Sequence, residues 1–201
     1  MKKARQLITC FSAVLTFSAF QAVSVGNESN TELERQSQFV KLLDYEIQNR
    51  AFALNTMQTF LAEKEGSSES QFWRAYLALE KLSRQKYQPV AATYKIDQEP
   101  RFFTRVKIFW GVRAMKWFPF ISLKTIHSAT VKYIAKLKVL QALAKPDEAD
   151  FFVYVVMQEK VQAESMGLMV SGEQQQAIEL LSKFVNGRRR DSLLLGAGKI
   201  K

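Results

Sequence analysis

Residues 119–146 read PFISLKTIHSATVKYIAKLKVLQALAKP, one helical pattern bracketed by two prolines. Leu123, Ile126, Thr130, Tyr133, Leu137, Leu140 and Ala144 recur every three or four residues, which puts them on one stripe of an α-helix. Pro119 breaks the preceding pattern because it has no amide hydrogen to continue a helix. At the other end, Pro146 is followed by Asp147 and Glu148, acids that favour the positive end of a helix dipole and so mark the next start.

The same period extends in both directions. Upstream, Ser29-Asn30-Thr31-Glu32 reads as a capping box opening a long helix through Val40, Leu43, Ile47, Leu54 and Leu61, closed by Gly66. A second box, Ser68 with Gln71, opens a helix through Phe72, Tyr76, Leu79 and Leu82, which Pro89 is expected to kink or end. Residues 89–100 read as an irregular connection, and Pro100 sits at the first turn of a helix reaching about Trp117. Downstream, a helix through Phe152, Val156, Ala163 and Met166 runs towards Gly172. A last one, Glu173 to Asn186, is expected to end at Gly187. No alternation of period two intervenes. The pattern predicts an all-α chain: a single-domain bundle of five to six helices. Expected boundaries are a leader at 1–24, a helical domain at 25–187 and a basic flexible tail at 188–201.

The leader is read from its layout. Lys2, Lys3 and Arg5 precede an uncharged apolar run, Leu7 to Ala22, and Ala22-Val23-Ser24 supplies the small residues of a cleavage site. That is the arrangement of a secretory signal peptide. The alternative is an uncleaved membrane anchor, although the run of about 16 residues falls short of the ~20 that span a bilayer. Cys10, the only cysteine, lies inside the run and not at its end, which argues against a lipoprotein. The expected address is therefore the periplasm or cell envelope, with membrane association open. A processed chain would have no thiol for a disulfide or a metal.

The formal net charge of +10 is unevenly spread. Residues 100–146 hold ten Lys and Arg and no acid, whereas residues 147–186 hold seven acids and two bases. The central segment also carries Phe102, Phe103, Phe109, Trp110, Trp117, Phe118 and Phe120. On a helix, Arg101, Arg105, Arg113 and Lys116 gather within a third of the circumference, and apolar residues take nearly all the rest. Trp and Phe favour a headgroup boundary while Arg and Lys reach phosphates. A core helix with a solvated basic edge, neutralised by neighbouring acidic helices, would give the same pattern.

Chemistry is sparse. A di-iron bundle needs paired Glu-x-x-His motifs, and the single histidine, His127, has Lys124 three residues before it. There is no HExxH, no G-x-S-x-G and no P-loop. No metal, cofactor or catalytic residue is expected. Glu159 falls on the inward stripe of its helix, and Glu46 and His127 flank apolar stripes, so these three form a candidate buried polar cluster. Glu46 with Arg50 and Glu80 with Arg84 are expected to be surface i,i+4 pairs worth a few tenths of a kcal/mol each.

The leading expectation is a non-enzymatic envelope protein. Its surface-binding residues would be Arg101, Arg105, Trp110, Arg113, Lys116 and Trp117, with Arg188, Arg189 and Arg190 as a second contact. Its partner would be an anionic lipid or glycolipid surface or an acidic protein, with nucleic acid ranked last because an exported chain seldom meets it. The rival expectation is a helical-bundle enzyme or small-ligand carrier using a polar pocket near Glu46, His127 and Glu159. A third is a protein inhibitor or immunity-type binder.

Overall fold

The structure, a computed structural model, describes residues 28–63 and 69–197. The leader expected at 1–24 and the Gly66 stop lie outside them. Among the described residues there are six α-helices, one 3₁₀ turn and no strand. The helices are α1 (Glu28–Glu63), α2 (Ser70–Thr93), α3 (Phe102–Trp117), α4 (Pro119–Leu143), α5 (Ala149–Val170) and α6 (Gln174–Ala197); the 3₁₀ turn, Pro146–Glu148, leads into α5. The expected all-α bundle is what the chain forms.

Helix ends follow local chemistry, though not always at the expected residue. Pro119 stands at the first turn of α4, where an absent amide costs nothing. Gly172, at φ 85°, ends α5 in a Schellman motif, with Glu173 N–H donating to the Leu168 carbonyl and Gly172 N–H to that of Met169. Pro89, in contrast, does not end α2, which continues to Thr93. The proline and Gln85, whose carbonyl loses its amide partner, are both exposed, so water can meet the freed oxygen, while Tyr87 and Ala91 on the opposite side hold the helix in the core. The stop comes at Lys95, a non-glycine residue at φ 54°, where Ile96 N–H donates to the Ala91 carbonyl and Lys95 N–H to that of Ala92. Likewise α6 does not stop at Gly187 but runs through it to Ala197.

Helix α1 packs against α2, α3 and α4; α5 joins α4 to α6; and α6 closes the ring on α2. The 3-4 stripes read from the sequence form the interior, with Leu43, Ile47 and Leu54 of α1 and Phe72, Tyr76, Leu79 and Leu82 of α2 all buried. Each large apolar side chain buried this way contributes about 1.5–3 kcal/mol. The interior falls into two apolar clusters. One contains Phe60, Phe72, Trp73, Met115, Leu123, Met166 and Leu181. The other contains Phe39, Leu43, Tyr87, Leu137, Leu140 and Phe152. Where the two meet along α1, α2 and α5, buried polar residues stand among apolar Ala51, Leu54 and Ala163: Glu46 and Arg50, Glu80 and Ser83, then Gln158, Glu159 and Gln162. The bundle is thus two apolar cores divided by a polar layer.

Helix α3 lies over α1 and α4 and is pinned at its start. Gln48 of α1 donates to the carbonyls of Asp97 and Glu99, and its oxygen accepts from the Arg101 amide and the Thr104 hydroxyl. Arg101 adds a two-pronged contact to Asp44. At Gly111 the helix comes close enough to α1 that a Cβ would sit 3.3 Å from the Phe52 ring.

Candidate functional site

The polar layer centres on Arg50, which α1 carries on its buried face one turn after Glu46. Its Nε lies 3.1 Å from Glu46 Oε1, its Nη1 3.2 Å from Glu80 Oε1, and its Nη2 2.9 Å from Glu159 Oε2. Nη1 also donates to Gln162 Oε1 at 3.0 Å, and the Gln162 amide in turn donates to Glu80 Oε1. Glu46 accepts two further bonds, from the Tyr87 and Tyr133 hydroxyls at 2.6 Å each. One guanidinium therefore joins α1, α2 and α5, and Tyr133 brings in α4. Each edge of a planar fork meets a separate carboxylate, a task for which arginine is better shaped than lysine.

Three carboxylates around one cation leave the layer short of positive charge. Burial works against the Arg50 charge, but Glu159, Glu80 and Glu46 outweigh it and hold the group protonated well above its ordinary value. Burial pushes the Glu159 carboxyl up to about 7, with Arg50 opposing and Glu46 and Glu80 reinforcing the rise. Burial also raises Glu80, against Arg50 and Gln162. The Tyr87 and Tyr133 hydroxyls are raised well above their usual range, by burial and then by Glu46, so they stay proton donors. Gln158 shares the layer, fully buried, with no partner for either amide atom.

Beside this layer, under α3, lies a cavity of about 110 Å³. Arg50, Glu159 and Tyr133 reach it from the polar layer, and Phe52, Met57, Trp73, Met115 and Ile126 give it an apolar wall. Thr56, also on the lining, has a buried hydroxyl with no hydrogen-bond partner. Lys107 and Gly111 come from α3. Among the described residues no group of three or more His, Cys, Asp or Glu side chains is placed to hold a metal ion; the three glutamates converge on a guanidinium instead.

Of the three residues read as a polar cluster, Glu46 and Glu159 meet at Arg50. His127 is not with them: it is half-buried against α5, its Nε2 3.3 Å from where a Cβ on Gly167 would stand. The two pairs read as surface features need correction. Glu46 and Arg50 do pair at i,i+4, but both are buried. Glu80 is buried and bonds Arg50, while Arg84 pairs with Glu99 across the α2–α3 connection. Helical spacing shows which residues are neighbours on one helix, and not which face the rest of the bundle covers. Gln162, Tyr87 and the Tyr133 hydroxyl were missed because a polar residue at an inward position has no partner until the helices are assembled.

The residues read as surface-binding divide. Phe102, Phe103, Trp110 and Trp117 are 73%, 77%, 51% and 57% exposed, and Val106 and Phe109 are also exposed. Spaced at three, four and seven residues, they form the outer face of α3. Arg113 stacks on the Phe109 ring at 3.3 Å, and Arg105 is exposed beside them with its Nε on the Pro100 carbonyl. Arg101 and Lys116, however, pair with Asp44 and Glu63 of α1, which halves the set of cations read for this face. Arg188, on α6, reaches the Met157 sulfur and the Phe184 ring, and Arg189 and Arg190 are exposed on the same helix, which runs to Ala197 through residues expected to belong to a flexible tail at 188–201. No protein-family model, curated protein or solved structure matches the chain.

Proposed function

We propose that this protein is a non-enzymatic helical bundle of the cell envelope that docks onto an anionic membrane surface through the outer face of α3. The observation that carries the reading is the row of Phe102, Phe103, Phe109, Trp110 and Trp117, all exposed on a helix whose inner face is already satisfied by α1 and α4. Exposed apolar patches of this kind mark interaction sites on soluble chains. Charge selects the partner. Residues 100–146 contain no acid, and Arg105 and Arg113 stand among the aromatics while Lys124, Lys132 and Lys138 are exposed on α4, which packs against α3. Each Lys or Arg near an anionic leaflet contributes about 1 kcal/mol.

No described helix is long and apolar enough to cross a membrane. The contact is therefore of the kind that lies on the surface, aromatic rings entering the headgroup boundary and cations reaching phosphates. Sedimentation with vesicles tests this. The chain lacking residues 1–24 should bind vesicles containing phosphatidylglycerol, bind phosphatidylcholine vesicles far less, and be released by salt as charges are screened. Phe103→Ser with Trp110→Ser should remove binding. Equal binding to both lipids, or indifference to charge reversal at Arg105 and Arg113, would refute the reading, as would capture of an acidic protein with no affinity for lipid.

A further inference from the structure

We propose that the cavity beneath α3 is a binding site for a small apolar amine, its short chain held by the aromatic wall and its ammonium group set against Glu159 and the Thr56 hydroxyl. The site is distinct from the outer face of α3 and does not depend on how that face is used.

Size limits the occupant. An engineered 150 Å³ apolar cavity takes up benzene, so about 110 Å³ suits something smaller, a short branched chain of about four carbons. The wall is of matching character: Phe52, Met57, Trp73, Met115 and Ile126 are apolar or aromatic, and aromatic faces also attract cations.

Charge then selects the head group. Every nitrogen of Arg50 lies within 3.2 Å of a carboxylate oxygen, so although its Nε–H completes no hydrogen bond, an incoming anion meets a guanidinium already ringed by negative charge. An incoming cation meets the opposite situation, because three buried carboxylates share one arginine. Glu159 is the member that both contacts Arg50 and lines the cavity. The Thr56 hydroxyl is an independent pointer. It is buried without a partner, an unfavourable state that an N–H donor would relieve.

Lys107, half-exposed on the α3 side of the lining, is the cation there that no carboxylate of the polar layer surrounds, and it makes the proposal discriminating. An amine beside Glu159 should bind as well or better once Lys107 is removed. A carboxylate held by Lys107 should be lost.

Isobutylamine is a suitable probe, with isovalerate as its acidic counterpart, both followed by calorimetry and by ligand-observed NMR. Isobutylamine should bind saturably to the folded protein and isovalerate should not. Glu159→Gln, which keeps the shape and an acceptor for Arg50, should weaken isobutylamine at least tenfold. Ala129→Leu, which enlarges an uncharged side chain of the cavity lining, should abolish binding and serves if Glu159→Gln fails to fold. Lys107→Ala should leave the affinity equal or improved. No saturable amine binding, amine binding unchanged in Glu159→Gln, or preferential binding of the acid that disappears in Lys107→Ala would each overturn the proposal.

Discussion

Replacing Arg50 with leucine removes the one cation in contact with three buried carboxylates, and the cost can be worked through from the geometry. Glu46, Glu80 and Glu159 lie 3.1, 3.2 and 2.9 Å from its nitrogens. Breaking a buried ion pair by removing one partner costs about 3–5 kcal/mol, because the remaining charge stays buried without compensation. The three losses do not simply add, since a stranded carboxyl can take up a proton instead. Holding an ordinary glutamate protonated at neutral pH costs on the order of 3 kcal/mol, and near pH 5 less than about 1 kcal/mol. Arg50→Leu should therefore lose about 3–5 kcal/mol near pH 8, a third or more of the ~5–15 kcal/mol that holds a domain of this kind together. The deficit should shrink by more than half near pH 5. Urea unfolding followed by circular dichroism reads both numbers from the midpoint and slope. Adding Glu80→Gln to Arg50→Leu should recover part of the loss near pH 8. A deficit under about 1 kcal/mol, or one equal at the two pH values, would refute the picture of Arg50 as the counter-charge of the layer.

Two further outcomes follow from the same layer. Burial pushes Glu159 up to about 7 in the folded protein against 4.5 unfolded, so between those values the folded state holds more protons and stability falls as pH rises, by an amount on the order of 3 kcal/mol; Glu159→Gln should flatten that slope in unfolding curves taken across the window. Gln158→Leu should raise stability by about 1–3 kcal/mol, because it removes two buried amide atoms that have no partner, and a lowered melting temperature would show that the amide is satisfied after all.

Legibility divides along the range of the interactions involved. The α4 stripe is readable because a residue and its neighbours three and four positions on share a face whatever the rest of the molecule does. The same holds for the start at Pro119 and the stop at Gly172, where one residue's covalent geometry decides. The end of α2 was less readable. Pro89 is a local signal to stop, yet Tyr87 and Ala91 are fixed in the core on the far side and carry the helix past it. The actual stop uses Lys95 in a conformation that glycine normally marks, so composition held no hint of it. In the candidate site, Glu159 was legible as an inward residue and Glu46 as one beside a stripe, but the identity of their partner was not.

What the sequence determined by itself is the helical content, most helix boundaries and the segregation of charge into residues 100–146, since these depend on residues close together in the chain. Only the tertiary structure decided that Arg50 faces inward to Glu46, Glu80 and Glu159, that His127 stands apart from them on α4 against α5, that Asp44 and Glu63 neutralise Arg101 and Lys116, and that the aromatics of α3 face out. Each depends on how one helix is rotated and shifted against another, a choice set by the burial of whole faces from distant parts of the chain and not by any one helix's own pattern.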